Sequence, residues 1–141
     1  MTPIDTGPAT GPVTGPAEME KSRAWVGHFL ASAADLPITF TLDGQTVRGI
    51  PATWQPVSSR RIIDANIIET VFTGSDPKSG LQIRVECTEY RDYPVVEWVA
   101  WLINTGQTNT PLISDLLALD GAFAGATPAL IHCNGDFYSA E

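Results

Sequence analysis

Asp76-Pro-Lys-Ser-Gly-Leu-Gln-Ile-Arg-Val-Glu-Cys-Thr-Glu-Tyr-Arg-Asp-Tyr-Pro-Val-Val-Glu-Trp-Val-Ala-Trp-Leu-Ile-Asn-Thr-Gly106 is the stretch that decides the fold. It reads as a long β-hairpin. A turn at Asp76 to Gly80 leads into a strand reaching Tyr90, a tight corner at Asp92 to Pro94 reverses the chain, and an apolar strand runs to Asn104-Thr105-Gly106. In the first strand Leu81, Ile83, Val85 and Cys87 alternate with Gln82, Arg84, Glu86 and Thr88, which predicts one buried and one wet face. Val95 to Ile103 is apolar on both parities apart from Glu97. That pattern predicts a central strand covered on both faces, with the second cover supplied by another domain.

Outward from this hairpin the pattern stays β. Candidate strands are Ile38 to Leu42, Gln45 to Gly49, Thr53 to Val57, Arg60 to Asp64 and Ile67 to Thr73 before it, and Leu112 to Leu119 and Ala129 to Cys133 after it. Asp43-Gly44 is the dipeptide that a type I′ hairpin turn prefers. The cluster Trp25-Val-Gly-His-Phe-Leu30 suits a strand or a short helix. Residues Met1 to Ala17 carry three Thr-Gly-Pro copies, starting at Thr6, Thr10 and Thr14, and almost nothing bulky. They predict a disordered, flexible tail, because proline removes backbone donors at every fourth position. The expectation is one all-β domain, an antiparallel β-sandwich over residues 18–141, behind a low-complexity tail over 1–17.

Composition narrows the function classes. The 141 residues are 43% apolar, sufficient for a core, and 16 acids against 8 bases give a net charge of −8. Apart from Arg60-Arg61 the bases are scattered, so no basic stripe neutralises phosphates, and neither nucleic acid nor an anionic membrane is expected as a partner. No run approaches the ~18 apolar residues of a membrane span, and no signal peptide is visible, which predicts a cytoplasmic protein. Two cysteines, Cys87 and Cys133, make neither a disulfide framework nor a metal quartet and read as buried thiols.

The chain shows no phosphate loop, no metal-ligand spacing and no nucleophile elbow, so neither a metal nor a cofactor is expected. His28 and His132 stand far apart. Glu86 lies on a wet strand face and Asp92 in a corner, so neither reads as catalytic. Glu97, a lone charge in an apolar strand, predicts an ion pair with Arg84 or Arg91. Trp98 and Trp101 differ in parity, point to opposite faces and read as packing residues. Trp54, between Pro51 and Pro56, is the indole most open to stacking on a sugar. Leu130 to Ser139 gathers His132, Asn134, Asp136, Tyr138 and Ser139 around a glycine, either as a polar site or as a plain turn.

The hairpin and its flanks resemble the N-terminal domain that precedes the catalytic barrel in α-galactosidase-like enzymes of glycoside hydrolase family 36 and related melibiases. The residues carrying the resemblance are Asp76 to the strand at Leu81, Glu89-Tyr-Arg-Asp-Tyr-Pro-Val-Val-Glu-Trp98, Asn104-Thr-Gly106, Asn109-Thr-Pro-Leu-Ile113, Leu119-Asp120 and His132 to Ser139. The resemblance implies a supersandwich-like β-domain that packs on a (β/α)8 barrel and helps shape its sugar site. The family's catalytic aspartates belong to that barrel, so no catalytic residue is expected here. In this picture the chain is a fragment or relic of such a hydrolase, inactive alone. Asp136 would reach a galactoside-type carbohydrate, supported by His132 or Trp54. Two other functions fit the same sequence: a stand-alone carbohydrate-binding module, or a protein interaction domain recruiting a partner chain.

Overall fold

The computed structural model describes residues 15–122, so His132, Cys133, Asp136 and the expected strand Ala129 to Cys133 lie outside the described residues. A helix, α1 (Pro16–Phe29), precedes seven strands: β1 (Thr39–Leu42), β2 (Gln45–Arg48), β3 (Val57–Ile62), β4 (Ile67–Ser75), β5 (Leu81–Tyr90), β6 (Val96–Asn104) and β7 (Ile113–Leu117). They form two antiparallel sheets, ordered β2-β1-β7 and β3-β4-β5-β6. The fold is an all-β sandwich with one helix.

The decisive hairpin forms as its alternation dictates. β5 and β6 pair from Leu81↔Asn104 to Glu89↔Val96 without a register break. Leu81, Ile83, Val85 and Cys87 face inward at no more than 1% exposure, against Phe40, Leu42 and Val47 of the opposite sheet and against Ile50 and Trp54. Burial raises the Cys87 thiol to about 12, with nearby Glu89 adding to the shift, so this free cysteine stays protonated. The β1–β2 turn takes the expected left-handed pair, Asp43 at φ 49° and Gly44 at φ 74°.

Three expectations need correction. The tail boundary at Ala17 falls inside α1, because the third Thr-Gly-Pro copy starts a helix. Gly15 is its N-cap, Pro16 sits where no backbone donor is required, and Glu18 reaches back to accept the Gly15 N–H at 3.0 Å. Thr53 to Val57 is not a strand. Ala52–Trp54 makes one 3-10 turn, Gln55 turns left-handed at φ 49°, and the strand begins at Val57. Finally, among the described residues Val96–Asn104 is an edge strand rather than a central one. Its inner residues Trp98, Ala100 and Leu102 pack on the core, while Val99 and Trp101 are each 51% exposed and Ile103 is 37% exposed.

α1 leans on the inner side of this edge. Trp25 stacks on Trp98 with ring centroids 5.5 Å apart and lies tilted by 37° against Phe29 at 4.7 Å, and the Trp98 indole donates to the Ala118 carbonyl at 2.9 Å. No helix among the described residues is long and apolar enough to cross a membrane.

Candidate functional site

Two features stand apart from ordinary core packing. The first is a cleft of about 450 Å³ at the turn end of the sandwich. Three turns converge there from distant parts of the sequence: β1–β2 with Asp43 and Gln45, β4–β5 with Asp76 and Lys78, and the β6–β7 connection with Asn109. Leu42, Val47, Trp54 and Pro111 make its apolar lining. Its rim is tied together by backbone and side-chain hydrogen bonds. The Asp43 N–H donates to the Leu112 carbonyl at 3.0 Å, the Thr105 N–H and hydroxyl both donate to the Gly80 carbonyl, and the Asn104 amide holds the Thr108 carbonyl at 2.8 Å.

Within the cleft wall Asp76 is committed to its own turn. Its carboxylate accepts the Lys78 N–H, the Ser79 N–H and the Ser79 hydroxyl, the last at 2.5 Å. Desolvation works to raise its pKa, but the Ser79 hydroxyl, these N–H groups and the Lys78 charge outweigh it, and the carboxyl is held below its ordinary value. No hydrogen bond or ion pair among the described residues engages the side chains of Asp43, Gln45, Lys78 or Asn109.

Trp54 enters this site differently from the expectation. Instead of offering an open indole face it is 8% exposed, because Pro51 and the 3-10 turn fold it inward against Phe40, ring centroids 6.4 Å apart. It can form a floor to the cleft but not a platform for a whole sugar ring. The partners proposed for it, His132 and Asp136, lie outside the described residues. The sequence marks Asp43 only as part of a hairpin turn, and nothing local marks Lys78 or Asn109 as lining a cleft.

The second feature is the outer face of the four-stranded sheet. Val99, Trp101 and Ile103 form an apolar row on β6, paired with Glu86, Arg84 and Gln82 of β5. The rest of that face carries two surface ion pairs, Arg84 with Glu86 at 2.7 Å and Arg61 with Glu69 at 3.0 Å, beside Ser59, Val71, Thr73 and the exposed Val57. Glu97 makes no ion pair with Arg84 or Arg91. Being exposed, its carboxylate needs no counter-charge and accepts the Tyr90 hydroxyl at 2.9 Å, which raises the Tyr90 pKa. Trp101, expected to be a packing residue, is half exposed.

Beneath α1 a smaller hollow of about 310 Å³ lies over the inner face of β3 to β5. Its charged wall is already closed by the pair Arg60 to Glu89 at 3.4 Å. No protein-family model, curated protein or solved structure matches the chain.

Proposed function

We propose that this chain is a non-catalytic β-sandwich domain of an α-galactosidase-like glycoside hydrolase, without hydrolase activity of its own. In this proposal the outer face of the four-stranded sheet packs on a (β/α)8 catalytic barrel and helps shape its sugar site. The supporting observation is the row Val99, Trp101 and Ile103, a half-exposed apolar strip including an indole along one side of a sheet face that also carries ion pairs, small polar residues and the exposed Val57. Such a row costs solvation in an isolated domain and is the kind of surface that a second domain covers. A cytoplasmic location belongs to the same proposal.

The coding DNA beyond codon 141 supplies the test. An in-frame segment encoding alternating strands and helices of a barrel is expected. A stop codon directly after Glu141 in the natural gene overturns the proposal. The purified chain should give no turnover of a nitrophenyl α-galactoside, and turnover that persists through purification would equally overturn it.

A further inference from the structure

We infer that residues 129–133, Ala129-Leu-Ile-His-Cys133, which lie outside the described residues, add a strand to the open edge of β6 and take up the main-chain groups that this edge leaves unbonded. Only the edge of the sheet is involved, not its outer face, so no catalytic barrel is required.

The ladder fixes which groups are open. One step beyond either end of the β5–β6 pairing, the Thr105 N–H donates to the Gly80 carbonyl at 3.0 Å and the Tyr90 N–H to the Val95 carbonyl at 3.1 Å. Bonded and non-bonded pairs alternate along an antiparallel ladder, so Glu97, Val99, Trp101 and Ile103 turn their N–H and C=O groups toward β5. Val96, Trp98, Ala100 and Leu102 turn theirs away, and none of these groups has a backbone partner among the described residues.

The other three edges are protected. β3 carries Arg60 and Arg61, β2 is four residues long, and β7 is interrupted by a register shift against β1 and by Asp115 at φ 51°. Charge, short length and irregularity are what keep a sheet edge from taking on another strand. β6 has nine residues, no register break against β5 and no charge from Trp98 to Asn104. Such an edge accepts a strand.

The path of the chain selects the occupant. Gly121 lies against α1, where an added Cβ would meet the Phe29 ring at 3.4 Å, and Phe29 leads through Trp25 to Trp98 at centroid separations of 4.7 and 5.5 Å. Residues 123–128 span roughly 20 Å when extended, enough to bring Ala129 to this edge. Trp25 lies on that route, and its indole N–H is buried without an acceptor among the described residues. A chain passing from Ala122 to β6 brings carbonyl oxygens to it, as a buried donor requires. From Phe123 to Cys133 the sequence holds no Asp, Glu, Lys or Arg, so the segment meets the edge without charge repulsion. A second copy of the chain would bring a further net charge of −8.

Amide hydrogen exchange and NOE spectra of the full 141-residue chain provide the test. The amides of Trp98, Ala100 and Leu102 should exchange at least about tenfold more slowly than unprotected amides, and NOEs should join the backbone of residues 130–132 to that of residues 98–102. Ile131→Pro removes a donor and cannot remain in a ladder. It should return those three amides to within about threefold of the unprotected rate while the Val99 and Trp101 amides, bonded to β5, keep their protection. Open-edge exchange in the unmodified chain overturns the inference, as do NOEs from residues 130–132 to β7 or another strand, or protection that survives Ile131→Pro. Protection that vanishes on dilution, with a dimer seen in sedimentation, makes a second copy the occupant and overturns it too. The measurements on the unmodified chain decide the matter even if the proline variant does not fold. Each of these outcomes leaves the barrel proposal in place, since an added strand extends the face that carries Val99, Trp101 and Ile103 without covering it.

Discussion

β5 and β6 are paired residue by residue, similar in length and both rich in apolar side chains, yet they occupy different environments. β5 is central. Its inward residues are sealed at 1% exposure or less, and its outward residues are Gln82, Arg84, Glu86 and Thr88. Among the described residues β6 is an edge. Its inward residues are only partly buried, and its outward residues include two of its largest apolar side chains, Trp101 and Ile103. The difference teaches that alternation reports which face is buried, whereas apolarity on both parities reports only that a second face is fit to be covered. What covers it has to be found elsewhere.

One cross-strand pair tests this contrast most severely. Ile83 and Leu102 stand opposite each other on the inner face, Ile83 fully buried and Leu102 partly exposed. Ile83→Ala should cost about 3 kcal/mol in urea unfolding, combining lost burial with a cavity that the surrounding β-sheet cannot close. Leu102→Ala should cost about half as much, because water already reaches part of its side chain. Equal losses would mean that the edge strand is as deeply packed as the central one, and the contrast would fail.

The β5 side of this contrast was legible in the sequence, whereas the edge position of β6 was not, because apolarity on both parities reads as a central strand. The β5 strand, from Leu81 to Tyr90, and the Asp43-Gly44 turn follow from period-two alternation and from the need for positive φ, both local properties. The start of α1 was hidden because Gly15-Pro16 looks like one more tail repeat, although glycine followed by proline is also how a helix begins. The Thr53 to Val57 stretch has strand-like composition, but Gln55 in the left-handed region breaks it. The cleft was illegible for a different reason. Asp43, Lys78 and Asn109 come together only through the pairing of distant strands, and nothing local marks them as neighbours.

The turn that feeds β5 gives the next, smaller effect. Asp76 has a folded pKa below its ordinary value of 3.8, so its contribution to stability is complete above that value and is lost as the pH falls through the lower, folded one. Asp76→Asn should therefore cost about 1 kcal/mol at neutral pH, the worth of a charge-assisted hydrogen bond in a partly exposed turn. The gap between wild type and variant should close as the pH drops below 3.8 in acid titrations followed by circular dichroism. A gap that widens with acid would show that the Asp76 carboxylate is strained in its turn rather than held by it.

The smallest effect on stability is expected where the sequence looks most hydrophobic. Trp101 is larger than Ile83, and on side-chain size alone Trp101→Lys should be the more damaging change. It is 51% exposed, however, and its paired residue Arg84 already has a counter-ion in Glu86, so lysine neither opens a cavity nor leaves a charge buried. The unfolding midpoint should move by no more than about 0.5 kcal/mol, as for other surface substitutions. Binding of an apolar dye such as ANS to the folded chain should fall, because the row Val99, Trp101, Ile103 is then interrupted at its centre. A loss of about 2 kcal/mol or more would mean that the row is covered in the free chain, and the surface that the barrel proposal depends on would not exist.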